Sequence, residues 1–293
     1  MQENAKPMQK KMIEMTKEIV LEKIKTAELL SEISNRGFIS TKRDLIMDRT
    51  YKFPRKYKPY KIGIVSDCHL GSQYQQISLL HEAYDIMLTQ GVKDVLFCGD
   101  MLEGSGKMHR DQMYEMFIVG SDKLCEYAIK HYPAREGMTT HCISGNHDLS
   151  IYNASGEDPI KRICEARSDL NYLGAWNATI EIGRLKYQLL HPDGGNAYAR
   201  SYKQQKAIEQ LPSGKKPNIQ LIGHYHSQSV LPNYRGVFSI QLPCFQTQTP
   251  YLKRKSLNPE IGFVILEITP NAKGVDSIKA EFIPFHEPID GDF

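Results

Sequence analysis

Five short segments of this chain place carboxylate, amide or imidazole groups directly after an apolar run. Ile62-Gly-Ile-Val-Ser leads into Asp67-Cys68-His69, and Val95-Leu-Phe-Cys into Gly99-Asp100. His141-Cys-Ile-Ser leads into Gly145-Asn146-His147-Asp148, Tyr187-Gln-Leu-Leu into His191, and Ile219-Gln-Leu-Ile into Gly223-His224-Tyr225-His226. As core packing, each such group would need a buried partner. As a site, carboxylates with neutral imidazoles form a mixed N/O ligand set that suits Mn, Fe, Zn or similar divalent ions better than Ca or Mg. Two such ions about 3.5–4 Å apart clamp the attacking and leaving oxygens of an in-line displacement at phosphorus. Asp67-x-His69 and His224-x-His226 are read as extended chain, with both members of each pair facing one way and Cys68 facing the other. The glycines before Asp100, Asn146 and His224 are expected to let the backbone turn sharply and come close to the ions.

Positioning these groups requires strands. Ile62–Val65, Val92–Cys98, Thr139–Ile143, Tyr187–Leu190 and Ile219–Ile222 read as strands, and 73–90, 111–131, 158–167 and 200–211 as helices. Such alternation predicts an α/β core with the polar groups at the strands' C-terminal ends, where open α/β sheets bind ligands. Past residue 230 helices are expected to stop, and Val237–Leu242, Gly262–Ile268 and Ser277–Ile283 to complete a second sheet. The fold class is therefore α/β: two packed mixed β-sheets flanked by helices.

Before residue 59 the character differs. Residues 8–34 have helical periodicity, Phe38–Phe53 reads as two short strands, and a basic stretch with two prolines follows. Residues 1–58 are drawn as a helix-and-hairpin appendage and 59–293 as the catalytic domain. With Lys42, Arg43 and Arg49, the appendage resembles the last helix and wing of a winged-helix DNA-binding module. The alternative is an amphipathic helix that packs on the catalytic domain or pairs two chains as a homodimer. A net charge of +3 does not by itself announce a nucleic-acid binder. No apolar run is long enough for a membrane span, and the Lys- and Glu-rich N-terminus is unlike a signal peptide. Six scattered cysteines without C-x-x-C read as buried thiols of a cytoplasmic protein.

Asp-x-His, Gly-Asp, Gly-Asn-His-Asp, a lone His and Gly-His-x-His, in that order on that strand rhythm, resemble the calcineurin-like metallophosphoesterase superfamily over about residues 61–285. The resemblance implies a four-layer αββα fold with two divalent metal ions, Mn first, with Fe, Zn, Ni or Mg as alternatives. It implies that Asp67, His69, Asp100 and His226 hold one ion and Asp100, Asn146, His191 and His224 the other, with Asp100 as the bridge. A water activated by the ions would be the nucleophile. His147 would face the phosphate, stabilising charge or protonating the leaving oxygen. Asp148 would either orient His147 or serve only the turn.

The substrate is less directly written. Asp67-Cys-His-Leu-Gly71 continues as in the DNA double-strand-break repair exonucleases of that superfamily. His191-Pro-Asp-Gly-Gly-Asn-Ala-Tyr198 and Gln246-Thr-Gln-Thr-Pro-Tyr251 resemble phage and prophage phosphoesterases. Met101-Leu-Glu-Gly104 departs from the repair nucleases, which favour an aromatic or His there, and no long C-terminal arm for an ATPase partner is seen, so a standalone nuclease is expected. Lys253, Arg254 and Lys255 beside Tyr251 either track a phosphate backbone or form a solvated loop. The Gly-rich loop after His191 leads to Arg200 and Tyr202, either to receive a substrate phosphate or only to turn. A DNA nuclease is thus expected, with a cyclic-nucleotide or other small-molecule phosphodiesterase as the alternative. A non-catalytic DNA-binding protein is disfavoured because no ligand position is lost.

Overall fold

A computed structural model of the chain describes residues 48–54, 58–272 and 274–293. The helix expected over 8–34, the first strand of the N-terminal hairpin, Lys42 and Arg43 lie outside the described residues. The strands are β1 (Arg49–Phe53), β2 (Tyr60–Val65), β3 (Asp94–Cys98), β4 (Thr139–Ser144), β5 (Leu170–Ala175), β6 (Asn177–Ile182), β7 (Leu185–Leu190), β8 (Ile219–Ile222), β9 (Ser229–Tyr234), β10 (Val237–Gln241), β11 (Gly262–Asn271) and β12 (Gly274–Pro284). They form two six-stranded sheets, β1-β6-β7-β8-β10-β9 and β12-β11-β2-β3-β4-β5.

Alternation along the strands builds the layers. Ile62 and Ile64 of β2 and Leu96 and Cys98 of β3 point one way, meeting Ile180, Tyr187, Leu189, Leu221 and Ile240 of the other sheet in a dry core between the sheets. Val95 and Phe97 point the other way, under α1 (Ile77–Thr89), α2 (Ser121–His131) and α4 (Pro159–Ala166). On the far face of the other sheet, α5 (Tyr202–Glu209) is held by Gln204, whose buried Nε2 donates to the Ser229 and Ser239 carbonyls. The order is helix, sheet, sheet, helix, as the sequence predicts. β2, β3, β4 and β5 run parallel, as do β7, β8 and β10, and β2, β3, β4, β7 and β8 carry the polar clusters at their C-terminal ends. Trp176, at φ 67°, is the single residue on which the chain steps from β5 in one sheet to β6 in the other.

Several elements differ from expectation. The helix predicted over 111–131 is one 3₁₀ turn, Gln112–Glu115, then a break at Gly120 (φ +108°), then α2. Helix α3 (Asn146–Ser155) begins on the Gly-Asn-His-Asp motif itself, and a short α6 (Pro250–Arg254) interrupts the all-strand C-terminal third. Strands β5, β6 and β9 were not anticipated. Arg49–Phe53 pairs in parallel with β6 as an edge strand, on the N-terminal side of the boundary drawn at residue 58. No helix among the described residues is long and apolar enough to cross a membrane.

Helix α1 starts at Ile77, not Gln73, because the glutamines before it are spent on loops: Gln75 Oε1 accepts the Gly71 N–H at 2.9 Å. Its cap comes from Asp292, which accepts the Ser78 N–H at 2.8 Å and the Ser78 hydroxyl at 2.5 Å. Gln76 binds Ile289 in both directions. This holds the C-terminal tail against the loop that follows His69. Asp292→Ala is expected to cost about 1 kcal/mol, the usual worth of a lost cap, read as a lower urea midpoint with unchanged m-value; an unchanged midpoint would remove the tail from the stability of α1.

Candidate active site

Asp67 and His69 follow β2, Asp100 follows β3, Asn146 and His147 open α3 after β4, His191 follows β7, and His224 and His226 follow β8. The loops are zipped together before any ligand is considered: Asp67 N–H donates to the Gly99 carbonyl at 3.0 Å, and His69 N–H to the Asp100 carbonyl at 3.1 Å. Five of these residues have left-handed backbone: Asp67 (φ 54°), His69 (49°), Asp100 (56°), His224 (82°) and His226 (50°). For residues with a Cβ this costs roughly 1–2 kcal/mol each. The extended-chain reading of Asp67-x-His69 and His224-x-His226 is therefore corrected; tight turns, not strand alternation, aim these pairs.

The glycine expectation holds, chiefly through close approach. A Cβ on Gly99 would lie 2.4 Å from His191 Nδ1, one on Gly145 2.3 Å from Asp100 Oδ1, and one on Gly223 2.3 Å from Ser66 Oγ. Only Gly99 also has positive φ, at +91°.

The side chains converge in two overlapping sets. In the first, His69 Nε2 is 3.1 Å from His226 Nε2, 4.0 Å from Asp67 Oδ1 and 3.9 Å from Asp100 Oδ2. In the second, His191 Nε2 is 3.1 Å from both Asp100 Oδ2 and Asn146 Oδ1, and His224 Nδ1 is 2.8 Å from Asn146 Oδ1. Asp100 Oδ2 belongs to both, while its Oδ1 accepts the His147 N–H at 2.8 Å.

Acceptors behind the rings fix the tautomers of His191 and His224, and a carboxylate stands behind His69. His191 Nδ1–H donates to the Cys98 carbonyl at 2.6 Å, His224 Nε2–H to the Gly194 carbonyl at 2.8 Å, and His69 Nδ1 lies 3.1 Å from Glu103 Oε2. In their neutral forms the His191 and His224 rings thus turn a lone pair inward. Burial opposes ionisation of Asp100, but His191 outweighs it and holds the carboxyl well below its usual range. Burial likewise disfavours imidazolium at His191, yet Asp100 lifts it to about 9. Burial and the neighbouring His191 push His224 down to about 4. Ionised carboxylates and imidazoles that turn a lone pair inward when neutral, with Asp67, His69 and His226 within 4.8 Å of one another in one group and Asp100, His191 and His224 in another, are the donor set of a pair of divalent ions.

His147 stands against this set, its ring edge-on to His69 at 4.6 Å. Its Nδ1–H donates to the Glu103 carbonyl at 2.7 Å, with Glu103 Oε1 at 3.7 Å. The orienting role offered to Asp148 therefore falls to Glu103. Asp148 instead accepts N–H groups of Gly145 (2.8 Å) and Leu102 (2.9 Å), joining the β3 and β4 loops. Sequence reasoning passed over Glu103 as a functional residue. It is buried, is pinned by Gln246 at 2.8 Å and Gln112 at 3.0 Å, and against the pull of burial is held at about 2 by His69. The available signal was a carboxylate three residues after Asp100.

A cavity of about 600 Å³ lies over these groups, and its lining includes Arg200, Lys203, His109, Glu115 and Tyr251. Arg200 is paired with Glu260 at 2.7 Å. Tyr202, Lys253, Arg254 and Lys255 are not brought to the cavity wall: Arg254 pairs with Asp111 at 2.8 Å, and Lys255 Nζ sits 5.9 Å from the Tyr251 ring centroid.

Residues 60–239 match the calcineurin-like phosphoesterase superfamily domain, which is more than half of the 293-residue chain. The chain belongs to this superfamily. It is a metal-dependent phosphoesterase, and its buried His/Asp clusters fit a dinuclear site. Among solved structures it is similar to a conserved uncharacterized protein of Streptococcus pneumoniae described as a predicted phosphoesterase, at 15% identity over 77% of this chain and 90% of that one, with a TM-score of 0.40. It is also similar to Vps29 of Chaetomium thermophilum, at 9% identity over 78% of this chain and 100% of that one, with a TM-score of 0.38. No curated protein matches the chain.

The shared position of Asp100 Oδ2 has a direct test. Reconstituted protein is expected to hold two divalent ions per chain by metal analysis, and Asp100→Asn to lose both, whereas Asn146→Ala should lose only one. Two tightly held ions in Asp100→Asn would show that Asp100 is not shared.

Proposed function

We propose that this protein hydrolyses phosphodiester bonds of nucleic acid, DNA first, with two Mn ions held by Asp67, His69, Asp100 and His226 and by Asp100, Asn146, His191 and His224. The observation that carries the hydrolytic reading is the single Asp100 oxygen common to both donor sets at the floor of the cavity. When bound, the ions supply an activated water and neutralise the phosphoryl oxygens. The chain's own residues do the rest. The strand-end loops hold neighbouring donors 2.8–4.0 Å apart, so little reorganisation accompanies the reaction. His147 spends Nδ1–H on the Glu103 carbonyl, which leaves Nε2 to carry a proton toward the leaving oxygen. The Glu103 carboxylate supplies negative charge beside the imidazolium.

The resemblance of Asp67-Cys-His-Leu-Gly71 to the repair-exonuclease and phage branch supports DNA as substrate, and so does the basic run Lys253, Arg254 and Lys255, which in sequence lies between the cavity-lining residues Leu252 and Ser256. A second reading, a small-molecule or cyclic-nucleotide phosphodiesterase, is favoured by the cavity volume of about 600 Å³, which is that of a small-ligand site. A panel of DNA, RNA, cyclic nucleotides and a chromogenic phosphodiester, each with several metals, separates the two.

His147→Ala is expected to keep both ions by metal analysis and to lower kcat by a factor on the order of 10²–10⁴; full turnover in that variant would remove His147 from the mechanism. Neutralising Lys253, Arg254 and Lys255 together is expected to weaken DNA cleavage and flatten its salt dependence, with a smaller effect on the chromogenic ester. Rapid turnover of a cyclic nucleotide by a protein inert to DNA and RNA would end the nuclease reading and leave the phosphoesterase assignment standing.

A further inference from the structure

One wall of the cavity carries a cluster that hydrolysis itself does not use. His109 and Tyr251, far apart in sequence, are stacked with ring centroids 4.3 Å apart and planes 10° from parallel. Glu115 braces both: its Oε2 lies 3.1 Å from His109 Nε2, and its Oε1 accepts the Tyr251 N–H at 2.9 Å. The loop bearing His109 is fixed in turn. Gln112 Nε2 donates to the Glu103 carbonyl at 2.7 Å, and its Oε1 accepts the Met108 N–H at 2.8 Å. The Arg254–Asp111 ion pair fastens the same loop to α6.

Glu115 is a buried carboxylate, and burying one is costly unless its partners are well placed. Its partners here are the His109 ring and the Tyr251 main-chain N–H, so the carboxylate ties together the two segments whose rings stack. His109 Nδ1 is buried without a hydrogen-bond partner among the described residues, so the ring meets the cavity by its face and not by that nitrogen. Lys203, which also lines the cavity, makes no ion pair among the described residues; its Nζ lies 5.7 Å from the Tyr225 ring centroid. Beyond the phosphoryl site the cavity therefore offers a stacked π-surface and one cation. Nucleobases present a π-face and polar edges, and base-on-aromatic stacking is sequence-tolerant. An alkyl group gains little from such a wall.

We propose that the His109–Tyr251 stack is a subsite for the nucleobase adjoining the scissile phosphate, which makes base-bearing phosphodiesters the substrate class. This rests on the hydrolytic reading above but not on DNA being the substrate.

The test compares three esters that release the same p-nitrophenolate: thymidine 5′-(p-nitrophenyl phosphate), its 3′ counterpart, and methyl p-nitrophenyl phosphate, each with the Mn-loaded protein. At least one thymidine ester is expected to exceed the methyl ester in kcat/KM by roughly five- to hundredfold, mainly through KM, the usual worth of one stacked base. The preference is expected to fall to about twofold or less in Tyr251→Leu and to persist in Tyr251→Phe. A turnover-free readout is calorimetry with chelated protein, where thymidine monophosphate should bind more tightly than methyl phosphate. Wild-type protein that treats the three esters alike overturns the subsite without reference to any variant. So does a Tyr251→Leu protein that melts like wild type and keeps the preference. Preference for a thymidine ester in a protein inert to DNA supports the subsite while the nuclease reading fails; DNA cleavage with no preference among the esters does the reverse.

Discussion

Asp67 and Asp100 are both fully buried, and each has an oxygen within 4.0 Å of His69 Nε2. Two carboxylates at that depth persist as anions only if donors or positive charge surround them. Much of the surrounding structure meets that condition. Asp67 accepts the His224 N–H at 3.0 Å and the Ser66 hydroxyl at 2.5 Å; Asp100 accepts the His147 N–H. Backbone can reach them so closely only by adopting left-handed turns and by having no Cβ at the crossing points, so the strained ligands and the glycines are two sides of one requirement.

The strand ends were legible in the sequence because an apolar run followed by a polar cluster is a local pattern, and five in order leave little room for another fold. What was lost depended on contacts distant in sequence. Glu103 gains its role from His69, His147, Gln112 and Gln246, brought together from four separate stretches. Periodicity carried the helix of 111–131 across Gly120, because Tyr114, Phe117 and Ile118 happen to continue the apolar spacing of α2; Tyr114 is in fact 81% exposed. In sequence Asn146 reads only as part of a polar cluster after a strand, yet the same Gly145 that admits Asp100 also starts a helix, and Asp148 accepts the Gly145 N–H at its N-terminus. The basic run 253–255 looked free in sequence only because Asp111, its partner, is 143 residues away.

Floor and walls of the cavity have different origins. The floor is made at the ends of β2, β3, β4, β7 and β8, each buried in a sheet, and tolerates little movement. The walls are loops tied by glutamines and ion pairs, chiefly Gln112, Gln246 and Arg254. Reaction type is thus set by the sheets and substrate choice by the loops, which is why the former could be read from short motifs and the latter needed coordinates.

The approach of Gly99, Gly145 and Gly223 to the ligands, where a single Cβ would stand 2.3–2.4 Å from neighbouring atoms, has an evolutionary side. One methyl group at any of the three disables the floor as surely as replacing a ligand, while every ligand remains in place. A descendant relieved of selection for turnover can therefore become a pseudoenzyme with an intact ligand list. Among such descendants, an inventory of aspartates and histidines would count the living and the dead alike, and the glycines would tell them apart.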